Sequence, residues 1–339
     1  MSMLSAFVTG VAGEQLTPDE WCFLQDARPC GLILFARNCR TPQQVRALID
    51  SFKDAIGRDD LFIMVDQEGG RVQRMKPPTW RQIPSAVKFG ALYRQDPENG
   101  LRAARAAAQL VATELSALGF NVNCVPVLDM PVEGAHGVIG DRAYASDPDA
   151  VVALGKAVAE GTFAGGVLPC MKHMPGHGRS TADTHHNLPV VDTQLAELEK
   201  TDFEPFRRLN FLPLAMSAHV LFNAIDPEDP ATTSETVIEQ VIRDRIGFDG
   251  LLFSDDASMN ALAGGIGDRV RRMLAAGCDV ALHCNGELPD MLEVAANSVL
   301  LEGDSERRFH AAFEARKPAV TFDASDALAA IEEAMAVSG

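Results

Sequence analysis

Apolar and polar positions along the 339-residue chain follow two alternating rhythms. Eight short runs rich in Val, Ile, Leu and Phe, at 5–8, 31–35, 61–65, 121–125, 167–171, 213–217, 251–254 and 279–283, read as buried strands. Longer helical patterns separate them, several with recognisable ends. Thr17-Pro18-Asp19-Glu20 and Thr41-Pro42 each place a capping hydroxyl before a proline suited to the first helical position. Asp147-Pro148 does the same ahead of a helix over 150–164. The alanine-rich stretch 97–118 stops at Gly119, and Ala275-Ala276-Gly277 closes another helix in the same way.

Eight strands, each followed by helix or loop, predict parallel crossover units and an α/β fold of the TIM-like (β/α)8 barrel type. An open doubly wound sheet is the alternative, but the first strand lacks a G-x-G-x-x-G turn. No Pro/Ser-rich linker interrupts the chain, so 1–339 reads as one catalytic domain, with extra helices from about 305 packed outside.

Composition narrows the partners. With 30 Lys+Arg against 47 Asp+Glu, a formal charge of −17, nucleic acid and anionic membrane are poor partners, because phosphate binding depends on basic side chains. No apolar stretch approaches the roughly 18 residues of a membrane span, and the N-terminal segment lacks the features of a secretory signal. The seven cysteines are odd in number and form no C-x-x-C pair, which favours free thiols. The expectation is a cytoplasmic monomer acting on a small molecule. Two Trp and two Tyr leave little aromatic platform for a long polysaccharide.

Candidate chemistry follows the strands. Just past the apolar runs stand Asp66, Asp129, Lys172-His173, His219, Asp255-Asp256 and His283, where a barrel keeps its catalytic groups. The densest segment is 172–189, KHMPGHGRSTADTHHNLP, with four of the eight histidines. Its Pro175, Gly176 and Gly178 forbid a regular helix and predict a loop leaving a buried strand. Asp183 stands two residues before His185, close enough to orient the imidazole. The alternatives are a solvated polar loop or a metal site, though His173 and His177 cannot share a helix face as H-E-x-x-H does.

In GLLFSDDASM (250–259) a buried strand runs into two carboxylates, a costly placement unless they are used or paired. Alternation of strand faces predicts one functional Asp and one structural one, for instance a helix cap. In VDQEGGRVQR (65–74), Asp66 suits sugar hydroxyls and Arg74 a carbonyl or carboxylate; an ordinary turn with a surface ion pair is the competing reading. Gly140-Asp141-Arg142 is compatible with a simple turn.

Together VDQEGGRVQR (65–74), NVNCVPVLDM (121–130), GVIGDRAY (137–144), KHMPGHGRSTADTHHNLP (172–189), LLFSDDASM (251–259) and AGCDVALHCN (276–285) resemble the bacterial β-N-acetylglucosaminidases of glycoside hydrolase family three. These are the single-domain cytosolic type used in peptidoglycan recycling. Met174 stands where Phe is usual, Thr184 where Ser is common and Ala257 where Leu is common; none of these removes an ionisable group. The resemblance implies a TIM-like barrel that needs no cofactor or metal. It further implies Asp255 as nucleophile and His185, paired with Asp183, as proton donor. Asp66, Arg74, Arg142, Lys172 and His173 become sugar-binding positions. The implied reaction is retaining hydrolysis of terminal N-acetylglucosamine from peptidoglycan fragments, and an imidazole near pKa 6.5 suits the acid/base role. Three rivals remain: a metal-dependent barrel hydrolase, a lyase with Lys172 as Schiff-base nucleophile and a phosphate at 264–267, and a non-catalytic sugar-binding protein.

Overall fold

The structure, a computed structural model, describes residues 3–132, 134, 137–180 and 188–337. Eight strands close into a barrel: β1 (Ser5–Thr9), β2 (Pro29–Leu34), β3 (Phe62–Val65), β4 (Val122–Asn123), β5 (Leu168–Met174), β6 (Leu214–Ser217), β7 (Leu251–Asp256) and β8 (Val280–His283). They lie in sequence order around the barrel, every neighbouring pair is parallel, and β8 closes against β1. Strand sides and helix faces together bury the apolar runs that announced them.

The helices begin where the capping residues place them. Thr17 and Glu20 form a reciprocal capping box on α1 (Pro18–Ala27), and Thr41 caps α2 (Pro42–Ile56). After α3 (Ala86–Gln95), Asp96 accepts from Glu98 and Asn99 N–H at the start of α4 (Pro97–Leu118), which ends on left-handed Gly119. Asp147 accepts from Ala150 N–H and starts α5 (Pro148–Ala164). Helices α4 and α5 pack closely: a Cβ on Gly161 would lie 2.2 Å from the Arg105 carbonyl oxygen.

Most strands match the apolar runs to within two residues at each end, and the largest departures in length are at β4, β5 and β7. Strand β4 is cut to two residues because Pro126 has no N–H to continue a ladder. Side-chain amides replace the missing bonds: Asn121 accepts from Ile63 N at 2.7 Å and donates to Leu61 O at 2.7 Å, and Asn123 accepts from Gln67 N at 3.0 Å. Strand β5 runs three residues past the expected end at 171, so Lys172 and His173 belong to a strand and not to the loop after it. Strand β7 likewise carries Asp255 and Asp256 within it.

The last third of the chain closes the opposite end. Helices α6 (Ile266–Ala275) and α7 (Leu288–Asn297) flank β8, and α8 (Gly303–Ala315) crosses beneath the barrel. Phe309 and Phe313 of α8 pack on Phe62, with ring centroids 4.9 and 4.8 Å away, and Phe62 meets Phe253 edge-on at 5.4 Å. Buried Asp279 anchors this floor by accepting from Arg243 at 2.8 Å, Arg308 at 2.9 Å and Ser305 at 2.8 Å. Helix α9 (Ala324–Ala336) packs on α4. With the N-terminal end sealed, the C-terminal end is left open to chemistry. Among the described residues no helix is long and apolar enough to cross a membrane.

Candidate active site

A cavity of about 230 Å³ opens at the C-terminal end of the barrel, between the ends of β3, β5 and β7. It is smaller than a typical drug-sized pocket and suits a single small ring. A larger groove of about 690 Å³ runs outside, between α4, α5 and Phe322, but its charged groups lie on an open surface and do not converge.

One wall is an ion network. Asp66 follows β3, and the segment Gln67–Gly69 pairs antiparallel with Val72–Gln73, a hairpin that folds Arg74 back over Asp66. Gln67 pins this hairpin from its other face, accepting from the N–H groups of Arg74 (3.0 Å) and Met75 (3.1 Å). Asp66 then accepts from Arg74 at 2.8 Å and from Lys172 at 2.6 Å. Glu68 accepts from Lys172 at 2.7 Å and takes both forks of Arg142 at 2.8 Å. Asp66 is buried and Arg74 only partly exposed, so their contact is not the surface ion pair allowed for by the sequence. Phe35 lies beneath, with the Arg74 and Arg37 guanidinium carbons 4.7 and 5.0 Å from its ring centre.

Glu68 was not among the sequence candidates, although a signal existed. Asp66 and Glu68 are two apart, so an extended backbone directs both carboxylates to one face. Lys172, on another strand, supplies the point where they converge. Burial would raise the pKa of both acids, but the neighbouring cations outweigh it: Lys172 and Arg74 hold Asp66 far below the usual carboxylate range, and Arg142 and Lys172 hold Glu68 at about 2. Burial disfavours the charge on Lys172, yet Asp66 and Glu68 more than compensate and keep the ammonium protonated.

The second wall is imidazole. Asp129, which follows β4, accepts from His173 Nδ1 at 2.6 Å and from the backbone N–H groups of His173 (3.2 Å) and His177 (2.8 Å). A carboxylate only accepts, so the His173 proton facing it sits on Nδ1, and Nε2 is turned toward Arg142 at 3.5 Å. His177 packs edge-on against His173, and its Nδ1 lies 2.9 Å from Ser180 Oγ. The Lys172–His173 peptide is cis.

Burial, reinforced by His173, pushes the His177 imidazole down to about 4. Its folded value is depressed, so the unfolded chain binds more protons between about pH 6.5 and 4. The stability contributed by neutral His177 is therefore complete above that window and lost as pH falls through it. The unfolding free energy from urea titrations should fall on acidification from pH 6.5 to 5, at up to about 1.4 kcal/mol per pH unit, above the range where the buried carboxylates protonate. His177→Asn should flatten this limb; equal slopes in both proteins would assign it elsewhere.

The third wall is the end of β7. Asp255 lines the cavity, and its carboxylate accepts from Asp256 N–H at 2.8 Å. Burial opposes its charge, but His219, His173, the Asp256 N–H and Lys172 together hold the pKa below the usual carboxylate range. The neighbouring Asp256 side chain is occupied by structure: its Oδ1 accepts from Ser258 N–H (3.0 Å), Ser258 Oγ (2.6 Å) and Cys284 N–H (3.1 Å). Asp183 and His185 lie outside the described residues. Asp66, Arg74, Arg142, Lys172, His173 and Asp255 all meet at this one cavity, whereas His283 bonds to Thr9 at 3.3 Å and does not line it. Among the described residues no group of three or more His, Cys, Asp or Glu is arranged to hold a metal ion. All seven cysteines are free thiols, six of them buried.

This constellation is a small polar pocket with one ionised carboxylate facing a cationic wall. Comparison with known proteins gives it a context. Residues 13–314 match the family model described as the glycosyl hydrolase family 3 N-terminal domain. A beta-hexosaminidase of Thiobacillus denitrificans is 42% identical over 286 residues, covering 83% of this chain and 79% of that protein. Among solved structures, NagZ from Neisseria gonorrhoeae in complex with N-trifluoroacetyl-D-glucosamine superposes with a TM-score of 0.88 at 32% identity, covering 99% of this chain and 98% of that one. A family 3 beta-N-acetylglucosaminidase from Paenibacillus superposes with a TM-score of 0.85 at 30% identity, over 97% of this chain and 66% of that chain.

Proposed function

The chain belongs to glycosyl hydrolase family 3 and is a glycoside hydrolase, and from that premise we propose that it is a retaining exo-β-N-acetylglucosaminidase. The observation that carries this is Asp255: a buried carboxylate lining a monosaccharide-sized cavity and held ionised at neutral pH. An anionic oxygen with few hydrogen bonds is what nucleophilic attack on an anomeric carbon requires. The names of the similar proteins support an N-acetylhexosamine as the sugar.

In the proposed sequence, Asp66, Arg74, Arg142, Lys172 and His173 hold the sugar hydroxyls. Asp255 attacks C1 while His185, oriented by Asp183, protonates the departing glycosidic oxygen. The resulting ester is then hydrolysed: His185 takes a proton from water, the water oxygen attacks C1, and Asp255 leaves as the free carboxylate. Lys172 is pinned as a cation by two carboxylates, which removes the lone pair a Schiff-base lyase would need. Peptidoglycan-derived fragments in the cytoplasm are the proposed substrates, a choice supported by the family resemblance. The small cavity and the scarcity of aromatic platforms both favour a terminal residue over a long chain.

Incubation with a fluorinated N-acetylglucosaminide should add one sugar mass to the peptide containing Asp255. A label on Asp256 instead, or turnover of a chromogenic N-acetylglucosaminide with no trapped ester, would overturn the mechanism.

A further inference from the structure

The nucleophile's backbone is irregular. Phe253 pairs with Val280 and Asp256 with Leu282, so three residues of β7 span the distance of two on β8, and Asp255 sits in the resulting bulge. On the other side, the ladder to β6 runs through Leu251–Leu214, Leu252–Ala215 and Phe253–Met216 and then stops. On the β6 side backbone pairing therefore ends before the carboxylate that the reaction needs.

A side chain takes over where the ladder ends. His219 stands two residues past β6, is fully buried, and its Nε2 lies 2.9 Å from the Asp256 carbonyl oxygen. A carbonyl only accepts, so Nε2 carries the proton. The preceding residue is fixed as well, with Ala218 N–H donating to Met174 O at 2.8 Å. His219 Nδ1 is buried with no hydrogen-bond partner among the described residues. The ring stands behind the cavity wall and is not among the residues that line it. Among the described residues the ring bonds to the Asp256 carbonyl, and the backbone N–H of that same residue donates to Asp255 Oδ1.

We infer that His219 is a positioning residue for Asp255, clamping the Asp256 carbonyl, which closes the bulge at the Asp256–Ala257 peptide, from the β6 side so that the nucleophilic oxygen keeps its aim. This rests on Asp255 being the nucleophile. Loss of the clamp lets the bulge relax by a fraction of an ångström, which slows attack without altering the groups that grip the sugar.

The test uses isosteric logic. A glutamine at 219 can place its amide nitrogen near the Nε2 position and still donate to Asp256 O, whereas leucine cannot. His219→Leu should lower kcat on a chromogenic N-acetylglucosaminide by about 10²-fold, the scale of a small misplacement of reacting groups, with KM within about threefold. His219→Gln should recover kcat to within about fivefold of wild type. If the leucine variant does not fold, His219→Asn replaces it, since its shorter amide mimics Nδ1 and cannot reach the carbonyl. Equal kcat for the glutamine variant and its non-donating counterpart would overturn the proposal, as would a loss confined to KM. Trapping separates the two levels of inference. A wild-type enzyme that labels elsewhere than Asp255 defeats the nucleophile assignment itself; wild-type labelling at Asp255, with equally fast labelling in both variants, defeats the role of His219 alone.

Discussion

An Asp255→Asn enzyme is expected to lose kcat by about 10⁴-fold, the scale seen when a nucleophile that acts as part of a unit is removed. The asparagine oxygen can still accept from Asp256 N–H at the position Asp255 Oδ1 occupies, so the bulge keeps its shape. The cationic wall, tied to Asp66 and Glu68, does not depend on Asp255. KM should consequently change little, and the folded protein should melt within a few degrees of wild type. The informative contrast is Asp256→Asn. The asparagine oxygen can still accept from Ser258 and Cys284 where Asp256 Oδ1 does, so that variant should keep most of its stability and most of its turnover. Steady-state kinetics on both proteins, with thermal melts, decide the matter. The assignment fails if Asp256→Asn shows the 10⁴-fold loss at full stability while Asp255→Asn retains most of its turnover.

Replacement of Glu68 by alanine should be the most destabilising single change in the site, at about 3–5 kcal/mol. The buried carboxylate balances Lys172 and both forks of Arg142, and those side chains are 3%, 13% and, for Glu68 itself, 6% exposed. Removal leaves Arg142 without its ionic partner and Lys172 sharing only Asp66. The thermal midpoint should fall by roughly 4–7 °C. Glu68→Ala/Arg142→Ala should cost less than the sum of its single variants, because the second change removes the charge the first left stranded. Strict additivity would mean the network is worth little. The pH dependence has a fixed sign: the folded value is depressed to about 2, so the stabilisation is complete above the ordinary glutamate range and is lost as pH falls from about 4.5 to 2. The alanine variant should lack that part of the acid limb.

Helix starts were legible because the signals are local: Thr17 with Glu20, Thr41 and Asp147 cap helices within three residues of themselves. Asp66, Lys172, His173 and Asp255 were legible because strand ends in a barrel face one cavity. Glu68 was missed because its importance comes from Lys172, a hundred residues away in the chain, and from the hairpin that exposes one strand face to the cavity. Asp129 was noted as a strand-end acid, but its simultaneous grip on His173 and His177 exists only once the chain turns at Pro175.

The sequence by itself thus determined the (β/α)8 architecture, since the period of apolar residues and the capping chemistry act over a few residues each. It also marked the family, through motifs whose residue types are the chemistry. The tertiary structure decided which charges are paired and which remain available. Asp255 and Asp256 are adjacent carboxylates of identical chemistry, and nothing local separates them. A bulge against β8, a ladder that ends early against β6 and hydrogen bonds from Ser258 and Cys284 commit the Asp256 carboxylate to the turn and leave the Asp255 carboxylate facing the cavity. Hydrogen bonds across strands, made at long sequence separation, hold that difference.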